Sequence, residues 1–396
     1  MPPPSVIVSG KGLSLASLRR VRRLWQQRVQ RLTLAELSML GCGDGAACDN
    51  GLHAAQRTHR ELKLRIAHRL RDFLFLPYKV MANPSVRLLY EKYVSAYNMH
   101  ENFGSLDSLD GVRDYWLALA RTFEEHQQVT RLLGHGRRQL VGLDPGLARA
   151  LDAFLDRFFT SRIGTHLLGA HFLQRGPAPC GVRKPAGVAM GVLQPTSPLG
   201  FVRDLCSSLA ASGRSSCDVP VDVEDAAVDT SILYIPAHLR VILREIMQNA
   251  MAATARVAQQ RGADPVPIRV KVHRGQFGVF VTVSDQGGGI PRMEHIWNWG
   301  RDSEETPAVM TSTPPRGLTH LQEESAWPGC EPEDSRPAAV LPLGFGLPLA
   351  RLTARYFGGD VRLQTLVGYG TNAYVHIPEL QQERAVVTDD VGSRPF

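Results

Sequence analysis

The sequence predicts a helical bundle followed by an α/β domain, and three observations carry that prediction. Between Thr33 and about Leu173 the apolar residues return every three or four positions, the period of a helix with one buried face. Around residues 266–283 they alternate instead, the period of a strand. Glycine clusters at 287–289, 344–346 and 368–370 then punctuate the second half. A length of 396 residues suits two domains, and a hydrophobic share of 43% is enough to give each a core. No stretch reaches the roughly 18 apolar residues of a membrane-spanning helix. The six cysteines are scattered without a C-x-x-C pair, which argues against a disulfide framework and a zinc ribbon.

The formal net charge of +7 belongs to one end of the chain. Residues 1–35 hold Lys11, Arg19, Arg20, Arg22, Arg23, Arg28 and Arg31 and no acid, and the remainder is balanced. The folded body therefore gives no reason to expect nucleic acid as a partner. An arginine-rich, acid-free segment whose Leu18, Val21, Trp25 and Val29 share a helical face has the composition of a mitochondrial transit peptide. Residues 1–32 are assigned that role. Residues 33–184 make the helical domain, 185–380 the α/β domain with a lid at 300–343, and 381–396 a C-terminal tail.

Four long amphipathic runs predict a four-helix bundle. "ELKLRIAHRLRDFLFLPYKV" sets Leu62, Ile66, Leu70 and Phe73 on one face and stops before Pro77. "PSVRLLYEKYVSAYNMH" opens on Pro84, and "YWLALARTFEEHQQVTRLLGHG" and "LARALDAFLDRFFTSRIGTHLLGAHFL" complete the set. His126, in the third run, is a conceivable phosphate acceptor. No proline follows it before Leu143 to bend the helix, as at sensor-kinase acceptors, so a surface or network role is the plainer reading.

The second half carries the chemistry. "YIPAHLRVILREIMQNAMAATARVAQQ" reads as one helix from Pro236, with Leu239, Ile242, Ile246, Ala250, Ala253 and Val257 on its buried face. Glu245 and Asn249 project from successive turns at the edge of that stripe, where a carboxylate and an amide oxygen address one bound group; a solvated edge has the same look. Two alternating strands follow, joined by a hairpin at residues 274–276. The second ends in Asp285–Gln286–Gly287–Gly288–Gly289, where absent side chains let backbone approach a ligand, although a plain glycine turn fits as well. Residues 301–342 lack periodicity and hold seven prolines, the pattern of a functional lid or a disordered stretch. Gly344 and Gly346 then lead into a helix whose first amides favour an anion, and two last strands flank Gly368–Tyr369–Gly370–Thr371.

In this order, E-x-x-x-N, D-x-G-x-G, a lid, G-x-G-L and G-x-G-T resemble the GHKL (Bergerat-type) α/β sandwich. That fold binds ATP in sensor histidine kinases, heat-shock chaperones, type II topoisomerases and mismatch-repair proteins. No Walker A sequence and no H-R-D or D-F-G set occurs. "FLDRFFTSRIG", "YIPAHL", "EIMQNAMAAT" and "GFGLPLARLTARYFGGD" resemble the mitochondrial 2-oxoacid dehydrogenase kinases, meaning the pyruvate dehydrogenase kinases and the branched-chain ketoacid dehydrogenase kinase. "RLTLAELSMLG" and "LPYKVMANPSVRLLYEKYVSAY" resemble that family's first helices, and the likeness runs with gaps from about Arg31 to Ile377.

The resemblance implies an ATP-dependent protein-serine kinase that phosphorylates and inactivates the E1 alpha subunit of a pyruvate or branched-chain dehydrogenase complex. It implies the mitochondrial matrix, the lipoyl domain of E2 as a docking partner, and a homodimer. It makes Glu245 the general base on the acceptor serine, and Asn249 an ATP contact and oxygen ligand of Mg2+. Asp285 accepts from the adenine amino group, Gly287 and Gly289 admit the nucleotide, and Thr371 lies near the adenine. Gly344, Phe345, Gly346 and Leu347 surround the phosphates, and Asp302 and Ser303 are lid residues at the ribose and phosphates.

Departures from the family pattern keep other readings open. The family has Lys before the helix Asn and Arg three positions after it; this chain has Gln248 and Ala252. The first glycine of the family's G-x-G-x-G is Pro342, the stretch "WNWGRDSEE" differs, and the tail lacks an Asp–Trp pair. A catalytically weak or inactive ATP-binding module docked on the complex is one alternative. A histidine kinase using His126 is the other.

Overall fold

The computed structural model describes residues 13–39, 49–141, 145–176, 191–211, 219–224, 230–300, 344–380 and 385–387. The chain divides into two compact units. The first is helical: α1 (Leu15–Leu24), α3 (Asp49–Leu74), α4 (Tyr78–Met81), α5 (Pro84–Glu101), α6 (Leu109–Glu125), α7 (Val129–Val141) and α8 (Pro145–Arg175), with α2 (Leu34–Met39) falling to the second unit. Local chemistry sets the ends. Asn83 caps α5, its side-chain oxygen accepting from the amides of Ser85 at 3.0 Å and Val86 at 3.3 Å, and Pro84 takes the first helical position. α3 packs on α5 and α8, α7 packs on the same two, and α6 lies on α3 and α8. Phe73, Tyr93, Phe154 and Phe158 meet at centroid separations of 5.1 to 5.9 Å in tilted, edge-on and stacked arrangements, such pairs being worth about 0.5–1.5 kcal/mol each beyond their burial.

The third amphipathic run is not one helix. It breaks at residues 126–128 into α6 and α7, with neither proline nor glycine at the break. The freed carbonyls find side chains from elsewhere: Lys92 Nζ donates to Glu125 O at 2.9 Å and Arg162 Nη2 to His126 O at 2.8 Å. Those two bonds repay the interrupted ladder.

The second unit layers helices over one face of a sheet. Its strands are β1 (Leu32–Thr33), β2 (Gln194–Thr196), β3 (Val221–Glu224), β4 (Ile232–Tyr234), β5 (Ile268–Gly275), β6 (Gly278–Asp285), β7 (Asp360–Leu366), β8 (Gly370–Pro378) and β9 (Val386–Val387). The main sheet runs β3-β5-β6-β8-β7, with β3 parallel to β5 and the other pairs antiparallel. Val279, Val281 and Val283 are buried as the alternation requires, under α10 (Pro236–Arg261). α9 (Pro198–Ala211) and α11 (Gly346–Tyr356) pack against α10 in turn. The β5–β6 turn is Gln276–Phe277, two residues later than its expected start, because the ladder stays paired through Gly275 and Gly278.

Two segments, at residues 15–31 and 385–387, carry structure that their sequence did not signal. Residues 381–396 are not wholly a tail, since Val386 and Val387 pair with Thr33 and Leu32; that ladder draws residues 32–39 into the second unit. Residues 15–31, read as part of a removable leader, are packed into the helical unit. Val21 is fully buried, Trp25 Nε1 donates to Ala67 O at 3.0 Å, Arg65 Nη2 donates to Gln30 O at 3.0 Å, and Arg20 pairs with Glu101 at 2.9 Å. Arg19, Arg22 and Arg23 point outward, so arginine content that reads as an address also suits the solvent face of a docked helix. Trp25→Ala is expected to lower the urea-derived unfolding free energy by about 2 kcal/mol through lost burial and one hydrogen bond; an unchanged value would make this segment dispensable to the fold.

Candidate functional site

α10 starts on Pro236, whose missing amide costs nothing at a first helical position. It ends at Gly262 in the left-handed conformation (φ 61°), where glycine carries no steric penalty. Between these ends lie most of the candidate residues. Glu245 is not at a solvated edge: it is 0% exposed, because α11 covers the turn that would otherwise face water. Neither carboxyl oxygen has a hydrogen-bond partner. Burial pushes the carboxyl up from 4.5 to about 8, against the opposing pull of the neighbouring Arg244 cation. Asn249 is half-buried one turn on.

Asp285 ends β6. Its Oδ1 accepts from Gly287 N at 2.8 Å and Thr371 N at 3.3 Å, which leaves Oδ2 for a further donor. Burial raises its pKa more than those two amides lower it. Gly287 sits against α10 so closely that a Cβ would overlap Ala253. Gly289 has φ +73°, a conformation that side chains disfavour. The amide after it, Ile290 N, donates to Thr365 Oγ1 at 2.7 Å, and Thr365 Oγ1 lies 3.2 Å from Thr371 Oγ1.

The second glycine segment meets α10 at the other end. A Cβ at Gly346 would overlap the Glu245 carboxyl. Phe345 is 4% exposed and its ring lies 5.1 Å from that of Trp299, while Gly300 N donates to Gly344 O at 2.9 Å. Leu347 is half-buried in the first turn of α11. Thus one glycine segment marks α10 at Glu245 and the other at Ala253, with Asn249 between. Eight residues of helix span about 12 Å, a length suited to an extended nucleoside triphosphate.

Asp302, Ser303 and Pro342 lie outside the described residues. Ala253 and Thr365 are site-lining residues that the sequence did not mark; alanine on a helix and threonine in a strand carry no signal. His126 caps the end of α6, its ring stacked 5.0 Å from Tyr93, and burial pushes its pKa down to about 3. Three features mark this stretch of α10: the Asp285 carboxyl with Oδ2 left over, a glycine loop against Ala253, and the buried Glu245 carboxyl without a hydrogen-bond partner among the described residues. Among the described residues no group of three or more His, Cys, Asp or Glu is placed to hold a metal.

A family profile described as "Mitochondrial branched-chain alpha-ketoacid dehydrogenase kinase" matches residues 31–175, and one described as "Histidine kinase-, DNA gyrase B-, and HSP90-like ATPase" matches residues 234–381. The chain is 28% identical over 352 residues to an Arabidopsis thaliana protein named pyruvate dehydrogenase (acetyl-transferring) kinase, mitochondrial, covering 84% of this chain and 86% of that one. It is 28% identical over 393 residues to the Homo sapiens isozyme 1 of the same name, covering 92% and 80%. Homo sapiens isozyme 4 is also 28% identical, over 366 residues, covering 88% and 82%.

The raised Glu245 pKa has a stability consequence. Its neutral form is favoured in the folded state, so its contribution is full below pH 4.5 and is lost as pH rises through about 8. Glu245→Gln, neutral at every pH, is expected to match the wild type near pH 4.5 and to become progressively more stable than it up to about pH 8. Urea unfolding across that range checks this; a pH-independent difference would contradict it.

Proposed function

We propose, from the likeness to the mitochondrial 2-oxoacid dehydrogenase kinases and the GHKL-type ATPase match, that this chain is an ATP-dependent protein-serine kinase acting on the E1 alpha subunit of a pyruvate or branched-chain dehydrogenase complex, which it inactivates. The observation that carries the reading is the order of groups along α10: a buried acid, then Asn249, then the glycine loop of Asp285. In this reading bound ATP supplies the phosphoryl group, and Mg2+ offsets the charge of its phosphates. Asp285 Oδ2 accepts from the adenine amino group, with Thr371 at the same end. Gly287 and Gly289 keep the walls of that end free of side chains. Gly344, Phe345, Gly346 and Leu347 present backbone to the phosphates, with Asp302 and Ser303 assigned to the same region. Asn249 offers its amide oxygen to Mg2+. Glu245 orients the acceptor serine hydroxyl and takes its proton. In this structure burial raises its pKa to about 8, so it acts as a base in the ionised form, which burial disfavours. The transfer itself depends on positioning and on charge neutralisation of a loose transition state.

The same reading makes the helical unit a four-helix bundle of α3, α5, α7 and α8, and places the protein in the mitochondrial matrix. It adds a homodimer through the nucleotide-binding units and docking on the lipoyl domain of E2. One observation favours a second reading. Gln248 and Ala252 stand where the family carries cations, and Arg256, one turn further along α10, is exposed. A protein so altered would bind nucleotide and dock without transferring phosphate. Acceptance of phosphate by His126 has little support, since its imidazole is stacked and held neutral.

Purified protein with Mg-ATP and each E1–E2 complex is expected to yield phosphoserine on one E1 alpha subunit. Glu245→Gln should slow that transfer by about 100-fold or more while nucleotide affinity stays close to wild type. Nucleotide binding by the wild type without phosphoserine on either complex would favour the second reading.

A further inference from the structure

One face of the main sheet is apolar until its last row. Across β6, β8 and β7 the registers on that face read Val281, Val375 and Val361, then Val283, Ala373 and Leu363. One step further the same face holds Asp285, Thr371 and Thr365. Three adjacent polar side chains at the edge of a core must each find partners. Asp285 is held through Oδ1 by the amides of Gly287 and Thr371. Thr365 Oγ1 has three polar neighbours: it accepts from Ile290 N at 2.7 Å, donates to Gly370 O at 3.3 Å, and lies 3.2 Å from Thr371 Oγ1. A threonine hydroxyl carries one proton and two lone pairs, an amide N–H only donates, and a carbonyl only accepts. Ile290 therefore takes one lone pair of Thr365, and Gly370 takes its proton. A single lone pair remains for Thr371, so the Thr371 hydroxyl is the donor of that bond.

We propose that Thr365 is a positioning residue that fixes the Thr371 hydroxyl as an acceptor, so that the base end of the site presents two neighbouring acceptors and selects a purine with a 6-amino group over one with a 6-oxo group. The inference rests on the reading of Asp285 and Thr371 as the end that receives the base. With its own proton committed to Thr365, Thr371 Oγ1 has only lone pairs left to offer. Asp285 keeps Oδ2 as a second acceptor on the adjacent strand. An amino group brings two N–H donors to such a pair. A 6-oxo group brings none, and would set its lone pairs against theirs. Thr365 touches no ligand in this scheme and acts through Thr371. The strand does not require a hydroxyl at that register, since the two preceding rows hold Val361 and Leu363 there. Without the Thr365 hydroxyl, Thr371 is free to turn its proton toward the ligand, and the bias against a 6-oxo group falls.

The test reads binding and requires no phosphoryl transfer. Dissociation constants of the full chain for Mg-ATP and for Mg-ITP, its 6-oxo counterpart, are measured by titration calorimetry. The wild type is expected to favour ATP. Thr365→Val should lower that preference about tenfold, the worth of one hydrogen bond, whereas Thr365→Ser, which keeps the hydroxyl, should retain it. The ratio is the readout because a loosened loop at Ile290 would weaken both nucleotides alike. Thr365→Ala carries the same expectation as Thr365→Val and replaces it should that variant not fold. An unchanged preference in Thr365→Val or its replacement overturns the role of Thr365, as does a serine variant that behaves like the valine one, or a wild type that binds both nucleotides equally. The two claims fail separately: a wild type that binds no ATP removes the base-end reading and this role with it, while ATP binding with an unchanged ratio removes the role of Thr365 alone.

Discussion

An ionisable group with no hydrogen-bond partner lies where two helices meet, and the second unit is built around tolerating it. Burial in low dielectric disfavours the ionised carboxyl, and the pKa of Glu245 rises accordingly. The surroundings follow from that. α11 starts on a residue without a side chain, and its first turn lies close. Structural stability alone would favour an apolar residue at 245. The acid is a stored cost, of the kind that chemistry at a site explains better than packing does.

The opposite end of α10 uses different physics. Asp285 is only partly buried and is steadied by two backbone amides on one oxygen, so the carboxylate is oriented more than it is neutralised. Its loop is shaped by three contacts: Gly287 on Ala253, Gly289 in a positive-φ turn, and Ile290 on the Thr365 hydroxyl. None of these contacts uses a charge. Polarity is thus distributed unevenly along the helix, with a hydrogen-bonding end and a desolvated end joined by the half-buried Asn249.

Much of this was legible beforehand. The four-residue step from Glu245 to Asn249, the acid at the end of an alternating strand and the glycines before a helix are local patterns, and local patterns survive folding. What was illegible depended on partners distant in the chain. The break at residues 126–128 has no breaker in it; Lys92 and Arg162 make it tolerable. The burial of Glu245 is decided by Gly346, about a hundred positions later. The docking of α1 was illegible because an arginine-rich amphipathic helix has one composition whether it serves as an address or is packed by Val21 and Trp25. The two-residue strand Val386–Val387 is too short to carry a period at all.

That short ladder between residues 32–33 and 386–387 has a consequence for how the molecule is made. The chain visits the second unit for residues 32–39, returns to the helical one, and pairs those early residues again only at 386–387. During vectorial synthesis β1 must therefore wait, unpaired, until β9 emerges, a late non-local closure of the sort that slows assembly. The nascent protein carries an open seam beside β1 until that second strand arrives to sew it shut.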